Sequence, residues 1–221
     1  MTPQVEPDGF AMVEDVLSAQ ETRQLLDELG DSGGAGRRGL LALPAVATLA
    51  KSEKLLALTV PWLPGPARPV RALYFDKTAE TNWVVPWHQD LTLALAGKAE
   101  VTGFGPWSEK DGIPHVQPPA RLLEQMLTIR IHLDDTHRVN GALRVLPGSH
   151  RHGRLSAAGI TEWRAQTKEF LCEAKAGDAL LMRPLILHAS GRSTGGGHRR
   201  VLHLEYAGFA LPGGLQWHEA A

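Results

Sequence analysis

The sequence has almost no cysteine and no long apolar run. Cys172 is the single cysteine among 221 residues, which excludes an internal disulfide and a cysteine-rich zinc site. No apolar run approaches the ~18 residues that a membrane span needs. The acidic beginning, with Glu6 and Asp8, lacks the basic region of a signal peptide. We therefore expect a cytoplasmic protein that does not enter a membrane.

An excess of either charge is also lacking. Lys and Arg number 23 against 24 Asp and Glu, so the formal net charge is −1. This balance gives no reason to expect binding to nucleic acid or to a membrane surface, and the expected partner is a small molecule. The length suits one domain, because all-β sandwiches and barrels often reach this size. The oligomeric state has no signal in the sequence.

The order of the patterns, helices first and strands later, predicts the fold class. Residues 1–66 are expected to form a largely helical cover, with a capping box at Ser18 and Glu21 and a second helix over 45–58. Residues 67–211 change to short apolar stretches between Gly and Pro turns, which is typical of a mainly-β, cupin-like jelly roll. Strands are expected at 8–13, 70–75, 124–133, 142–146, 168–174, 179–182, 185–188 and 201–206, and a surface helix at 160–167.

The stretch 96–119 is rich in Gly, Pro and charged residues. Loops of this length inside a compact domain are usually functional or disordered, and we interpret this one as a lid over the active site. Trp107 is a candidate wall for the substrate. Lys110 and Asp111 are candidate polar contacts within the same lid.

The segment Trp87-His88-Gln89-Asp90 places a histidine and a carboxylate two residues apart. In an extended chain such side chains point to the same face, so His88 and Asp90 can chelate one metal ion and leave other coordination positions open. The pair alone is equally compatible with a strand-end histidine beside a solvated aspartate. His188, however, follows another apolar run and precedes small residues. Two histidines and one carboxylate form the facial triad of non-haem Fe(II) oxygenases.

Arg199 begins the last predicted strand, eleven residues after His188. A cosubstrate such as 2-oxoglutarate chelates iron at one end and needs its distal carboxylate held, which a planar guanidinium does with paired hydrogen bonds. Arg192 and Arg200 compete for this role, and an ordinary surface arginine pair is a further alternative. Strand alternation places Arg199 on the more polar face of the strand, which is expected to line a wet cavity, so Arg199 is preferred.

The motifs follow one another in an order that resembles the phytanoyl-CoA dioxygenase family. They are Trp87-His88-Gln89-Asp90, Leu133-Asp134-Asp135, Asn140-Gly141-Ala142-Leu143, Pro147-Gly148-Ser149-His150, Gly177-Asp178, His188-Ala189-Ser190 and Arg199. The resemblance implies a double-stranded β-helix that uses Fe(II), 2-oxoglutarate and O₂. It also implies that the facial triad ligates iron and that Arg199 anchors the cosubstrate, with Gln89 and Ser190 as secondary contacts.

One departure from the family pattern concerns Arg130, because the family often has tryptophan at this position. If Arg130 faces the cavity, it adds a second anion-binding group for the cosubstrate or for an acidic substrate. The alternative is a salt-bridged strand residue without a role in binding.

Asp90 bears on the type of reaction. In related halogenases the carboxylate position is a small residue that leaves room for chloride. The carboxylate here favours hydroxylation of a C–H bond in a small molecule, with release of succinate and CO₂. The alternatives are a metal-binding jelly roll that acts as a sensor, and a cupin-like isomerase or hydrolase that uses another divalent metal.

Overall fold

The computed structural model describes residues 4–31 and 33–219. The strands are β1 Phe10–Val13, β2 Gly36–Arg37, β3 Arg68–Lys77, β4 Val85–His88, β5 Leu93–Ala94, β6 Trp107–Lys110, β7 Ile113–Val116, β8 Met126–His132, β9 Leu143–Val145, β10 Phe170–Cys172, β11 Ala179–Met182, β12 His188–Ser190 and β13 Arg199–Ala207. The helices are α1 Val5–Asp8, α2 Ala19–Leu29, α3 Pro44–Ala50, α4 Glu53–Thr59, α5 Ala120–Leu123 and α6 Ala157–Gln166.

Two antiparallel sheets confirm the predicted jelly roll. The larger has the strand order β1-β11-β8-β13-β3-β2, and the smaller has the order β10-β9-β12-β4. Apolar side chains from both sheets pack in one buried cluster, as expected for sheets stacked face to face. Its buried members are Phe10, Leu143, Val145, Cys172, Leu180, Met182 and Ile186. The functional residues described below lie in the same layer between the two sheets.

The N-terminal helices cover the outer face of the larger sheet. On β8 the alternate residues Leu127, Ile129 and Ile131 pack against this helical layer, so every residue of that strand is buried. The predicted capping box is present, because Ser18 Oγ accepts from the Glu21 amide and the Glu21 carboxylate accepts from the Ser18 amide. In the described residues, no helix has the length and apolar character needed to cross a membrane.

Two expectations for element bounds were wrong. The helix expected over 45–58 is two helices, α3 and α4, because Ser52 has an extended backbone (φ −61°, ψ 145°) and begins α4. The strand expected over 185–188 is a turn at residues 184–186 followed by β12. Leu185, Ile186 and Leu187 are buried, and an apolar run does not by itself distinguish a buried turn from a buried strand.

The segment expected as a structureless lid contains a β-hairpin. Strands β6 and β7 pair with each other, and β7 also pairs with β5 to complete a third, small sheet. Asp111 and Gly112 make the turn, both with positive φ. The hairpin carries Lys110 at the end of β6, where its side chain lines the cavity described below.

Gly177 lies in the turn between β10 and β11, and its carbonyl accepts from the Leu17 amide of the helical cover (2.9 Å). Its φ is +98°, and a Cβ atom there would lie 2.3 Å from the Leu17 carbonyl oxygen. We expect Gly177→Ala to lower the free energy of unfolding by about 2 kcal/mol or more, because it combines backbone strain with a backbone clash. Gly97→Ala is the matched control, since nothing lies within 4 Å of its Cβ position. Equal midpoints of the two variants in urea denaturation would contradict this expectation.

Candidate metal and cosubstrate site

His88 and His188 are brought together by strand pairing. They are directly opposed in the antiparallel β4–β12 pair, and their ring centroids are 4.1 Å apart. The register of this pair shifts between His188 and Ser190. Exactly opposed residues in an antiparallel pair have their Cβ atoms about 5 Å apart, so two imidazoles of such a pair can reach one ion.

Asp90 completes a group of three possible metal ligands. Its backbone amide donates to the Pro184 carbonyl (2.9 Å), which fixes the chain just after β4. Asp90 Oδ1 lies 3.7 Å from His88 Nε2, and Oδ2 lies 3.8 Å from His188 Nε2. These distances are too long for hydrogen bonds, but atoms bound to one metal ion at about 2.1 Å can be up to about 4.2 Å apart. The donor set and its spacing therefore fit a divalent metal ion.

The two imidazoles are held with the nitrogen needed for a metal facing inward. Nδ1 of His88 lies 2.8 Å from the Pro86 carbonyl oxygen, and Nδ1 of His188 lies 2.9 Å from that of Ile186. A carbonyl accepts only, so each Nδ1 carries the proton and each Nε2 keeps its lone pair. Burial lowers the pKa of His188 to about 4. This histidine is therefore neutral at physiological pH, as a metal ligand must be.

The Asp90 carboxylate stays ionised beside these rings. Burial acts to raise its pKa, but His188, His203 and His88 together outweigh burial and lower it to about 2. An ionised carboxylate and two neutral imidazoles supply one negative charge to a divalent cation. The remaining charge can be balanced by an anionic ligand from the cavity.

The three possible ligands lie in the wall of a cavity of about 220 Å³ between the two sheets. Its apolar lining comes from Leu73, Phe75, Trp83, Val85 and Leu143. Its other polar lining comes from Arg38, Arg71, Thr92, Lys110, Arg130, Ser190, Arg199, His203 and Glu205. Such a mixture of apolar walls and a few polar groups is typical of a small-molecule site.

Arg199 and Arg200 point to opposite faces of β13, as strand alternation predicts. Arg199 is buried (3% exposed) and lines the cavity, whereas Arg200 makes a bidentate ion pair with Asp134 at 2.7 and 2.8 Å. Arg192 is exposed. Arg199 is thus the arginine of the three that the structure brings to the cavity.

The comparison with known families agrees with this geometry. The family model described as Phytanoyl-CoA dioxygenase (PhyH) matches residues 5–201. The chain belongs to the phytanoyl-CoA dioxygenase family. Among proteins with curated descriptions, none matches the sequence.

Solved structures share the fold at low sequence identity. HygX from Streptomyces hygroscopicus, with nickel and 2-oxoglutarate bound, is 20% identical, with a TM-score of 0.65 over 92% of this chain and 84% of HygX. AviO1 from Streptomyces viridochromogenes Tue57 is 22% identical, with a TM-score of 0.66 over 94% and 93%. The epimerase SnoN from nogalamycin biosynthesis is 19% identical, with a TM-score of 0.67 over 92% and 77%. Iron and 2-oxoglutarate, the cofactors expected from the sequence, are bound in structures of these relatives.

Arg130, the departure from the phytanoyl-CoA dioxygenase family pattern, faces the cavity and has no salt bridge to any residue that the structure describes. Its Nη1 donates to His203 Nδ1 (2.8 Å), and its guanidinium lies 5.6 Å from the centre of the Phe75 ring. The buried Nε atoms of Arg130 and Arg199 have no hydrogen-bond partner in the described part of the chain. Two buried guanidinium groups with unused donors indicate a place for an anion.

Ser190 lines this end of the cavity, and Lys77 lies directly beside Ser190. Lys77 is opposite Arg199 in the β3–β13 pair, and its Nζ donates to the Gly191 carbonyl (2.6 Å) and to Ser190 Oγ (3.3 Å). Burial, and then the charges of Arg199 and Arg130, lower the pKa of Lys77 to about 8. Lys77 was missed in the sequence, because the strand expected at 70–75 ends before it. Its spacing from Phe75 by two residues was the available signal.

Two sequence expectations do not fit the observed positions. The buried Gln89 amide donates to the carbonyls of Gly153 and Leu185, and its Oε1 accepts from the Leu155 amide. Gln89 alternates with His88 and turns away from the cavity, so a cosubstrate contact is not supported. Trp107 is not in the cavity wall either, because it packs against an apolar cluster beneath the lid hairpin.

Proposed function

We propose that this chain is a non-haem Fe(II)- and 2-oxoglutarate-dependent oxygenase that hydroxylates a small molecule. The observation that carries the proposal is the cross-strand pairing of His88 with His188, with Asp90 at 3.7 and 3.8 Å, beside a cavity that contains the buried Arg199. Membership of the phytanoyl-CoA dioxygenase family supports the same assignment.

The chain's own contribution at the metal is to hold three ligands on one side of the ion. The carbonyls of Pro86 and Ile186 orient the imidazoles of His88 and His188, and the backbone of Asp90 is fixed by Pro184. With only these three residues as protein ligands, a bound ion would still have room for the cosubstrate and O₂. When bound, Fe(II) and 2-oxoglutarate supply the oxidising chemistry, and 2-oxoglutarate is converted to succinate and CO₂.

The chain's contribution at the cosubstrate is a preformed cationic pocket. Arg199 would hold the distal carboxylate with paired hydrogen bonds, and Arg130 and Lys77 would add positive charge around it. The orientation of Arg130 is fixed by His203, and that of Lys77 by the carbonyl of Gly191. Because these groups are already ordered, little conformational entropy is lost when the dicarboxylate binds.

Hydroxylation is proposed over halogenation because Asp90 retains the carboxylate of the triad. The related SnoN is described as an epimerase, so the fold alone does not choose the outcome. The apolar wall, including Phe75 and Trp83, would exclude water and direct the oxidation to a bound C–H group.

The proposal is tested first without oxygen. We expect anaerobic addition of Fe(II) and 2-oxoglutarate to the protein to give a visible metal-to-ligand charge-transfer band at one equivalent of each. On exposure to O₂, 2-oxoglutarate should be converted slowly to succinate even without substrate. A chain that binds metal stoichiometrically but gives neither the band nor succinate would be a sensor or binding module, and the proposal would be wrong. Incorporation of one oxygen atom from ¹⁸O₂ into a substrate would separate hydroxylation from epimerisation.

A further inference from the structure

The cavity contains more positive charge than the proposed cofactors can neutralise. Five cationic side chains line it, Arg38, Arg71, Lys110, Arg130 and Arg199, against the two carboxylates of Asp90 and Glu205. This leaves a surplus of three positive charges among the lining residues, or two when the Asp111 carboxylate that pairs with Arg38 is included. A divalent metal ion and a dicarboxylate cosubstrate cancel each other, so their binding does not change the surplus.

The cationic groups form two sets at opposite ends of the same strand pair. Lys77 is paired in register with Arg199, and Arg71 with Glu205. Arg199 and Glu205 are six positions apart on β13, and six positions span about 20 Å of extended chain. His203 lies between these two positions, and its charge is among those that lower the pKa of Asp90. The Asp90 carboxylate, one of the possible metal ligands, therefore faces the middle of the strand pair. The Arg199 end is assigned to the cosubstrate, and the other end is left for the substrate.

At this second end Arg71 is fixed in place and buried. Its Nη1 donates to Glu205 Oε1 (3.0 Å), and its Nη2 lies 3.2 Å from His115 Nε2. His115 Nδ1 lies 2.8 Å from the Ile113 carbonyl oxygen, so Nδ1 carries the proton and Nε2 accepts from Arg71. Glu205 therefore neutralises Arg71 while leaving its guanidinium in the cavity wall.

Lys110 and Arg38 bring two further cations to the open end. Both side chains line the cavity, and both are exposed. Arg38 is ion-paired with Asp111 at the turn of the lid hairpin, where the two side chains are 37% and 69% exposed. Such an exposed pair contributes little and can exchange partners. The Lys110 side chain makes no hydrogen bond within residues 4–31 and 33–219, and partial desolvation, followed by the charges of Arg71 and Arg38, lowers its pKa.

We propose that the substrate carries an anionic group, a carboxylate or a phosphate, that Lys110 binds together with Arg71 and Arg38. Like charges gathered in a partly buried cavity repel one another, and a bound anion relieves that repulsion. The assignment of this end to the substrate rests on the proposed function, because the Arg199 end must hold 2-oxoglutarate. The cavity volume of about 220 Å³ is below the ~300–1,000 Å³ of typical ligand pockets, so the rest of the substrate extends past the lid.

The test measures binding of small ions by ligand-observed NMR to protein loaded with Zn(II), with and without saturating 2-oxoglutarate. The probes are acetate, methyl phosphate and methylammonium. We expect one of the two anions, or both, to bind in the presence of 2-oxoglutarate, and methylammonium not to bind. Lys110→Ala should weaken the binding of that anion by about tenfold, as for loss of a hydrogen bond to a charged group, and Arg38→Ala should weaken it less. The stronger anion identifies the group as carboxylate or phosphate.

Lys98→Ala is the matched control, because Lys98 is an exposed lysine of the same segment outside the cavity wall. It should bind the anions as the unmodified protein does. The inference is overturned if neither anion binds, or if Lys110→Ala binds as tightly as Lys98→Ala. The signals of 2-oxoglutarate in the same samples report the proposed function separately, since Lys110→Ala should leave cosubstrate binding unchanged.

Discussion

His188→Ala is expected to weaken Fe(II) binding by at least about 100-fold, since loss even of groups that only orient metal ligands costs 10–100-fold. His188 is buried (4% exposed), and its Nδ1 is held by Ile186 so that Nε2 faces Asp90. The depressed pKa of about 4 means that no proton competes with the metal at pH 7. Anaerobic titration of Fe(II) against a chromophoric chelator measures the affinity directly.

The control for this expectation is His218→Ala, which removes an exposed histidine outside the cavity wall. It should bind Fe(II) as tightly as the unmodified protein. Circular dichroism of both variants tests whether His188→Ala remains folded, which we expect because the ring makes its one described hydrogen bond to a carbonyl two residues away. A folded His188→Ala protein with unchanged Fe(II) affinity would exclude His188 as a ligand.

The parts of the fold that were predicted from sequence depend on short-range rules. The capping box at Ser18 and Glu21 is local, and the structure contains it. The period of two in a strand placed Arg199 on the cavity side of β13 and Arg200 on the other side, as observed. Alternation is reliable because it needs no knowledge of the partner strand.

Other parts depended on pairing between distant segments. Lys77 and Arg71 acquire their positions from the register of β3 against β13, which no local pattern determines. The lid hairpin was missed because β6, Trp107–Lys110, has a single apolar residue and follows a stretch rich in Gly and Pro. β6 becomes a strand through pairing with β7, which in turn pairs with β5. The paired β6 strand places Lys110 in the wall of the cavity.

Gln89 shows the limit of carrying a role over from a motif. The motif predicted a cosubstrate contact, but three backbone partners occupy the amide, so Gln89 joins β4 to the segment around Gly153 and Leu155. Its place next to His88 still matters, because the amide fixes the chain around His88, one of the three possible metal ligands. The same residue type at the same spacing therefore serves the site indirectly.

Arg199→Ala is expected to weaken 2-oxoglutarate binding by about 100-fold, while Fe(II) binding persists. Truncation of one partner of a buried charge pair costs ~2–5 kcal/mol. A cost of ~3 kcal/mol, within this range, corresponds to about 100-fold in affinity. Burial, followed by the charge of Arg130, lowers the pKa of Arg199 to about 10. Arg199 therefore remains a cation at pH 7 and is available to pair with the distal carboxylate. Arg130 and Lys77 retain some attraction for the dicarboxylate, which keeps the loss finite.

Arg200→Ala is the matched control for this change, because it removes the neighbouring arginine from the opposite face of β13. We expect Arg200→Ala to lose stability through its ion pair with Asp134 but to keep 2-oxoglutarate affinity. The anaerobic charge-transfer band, titrated with 2-oxoglutarate at saturating Fe(II), measures both variants. Metal binding that survives Arg199→Ala distinguishes this defect from that of His188→Ala. If Arg199→Ala kept full turnover, a metal-dependent isomerase or hydrolase would replace the oxygenase, since such an enzyme has no dicarboxylate cosubstrate to anchor.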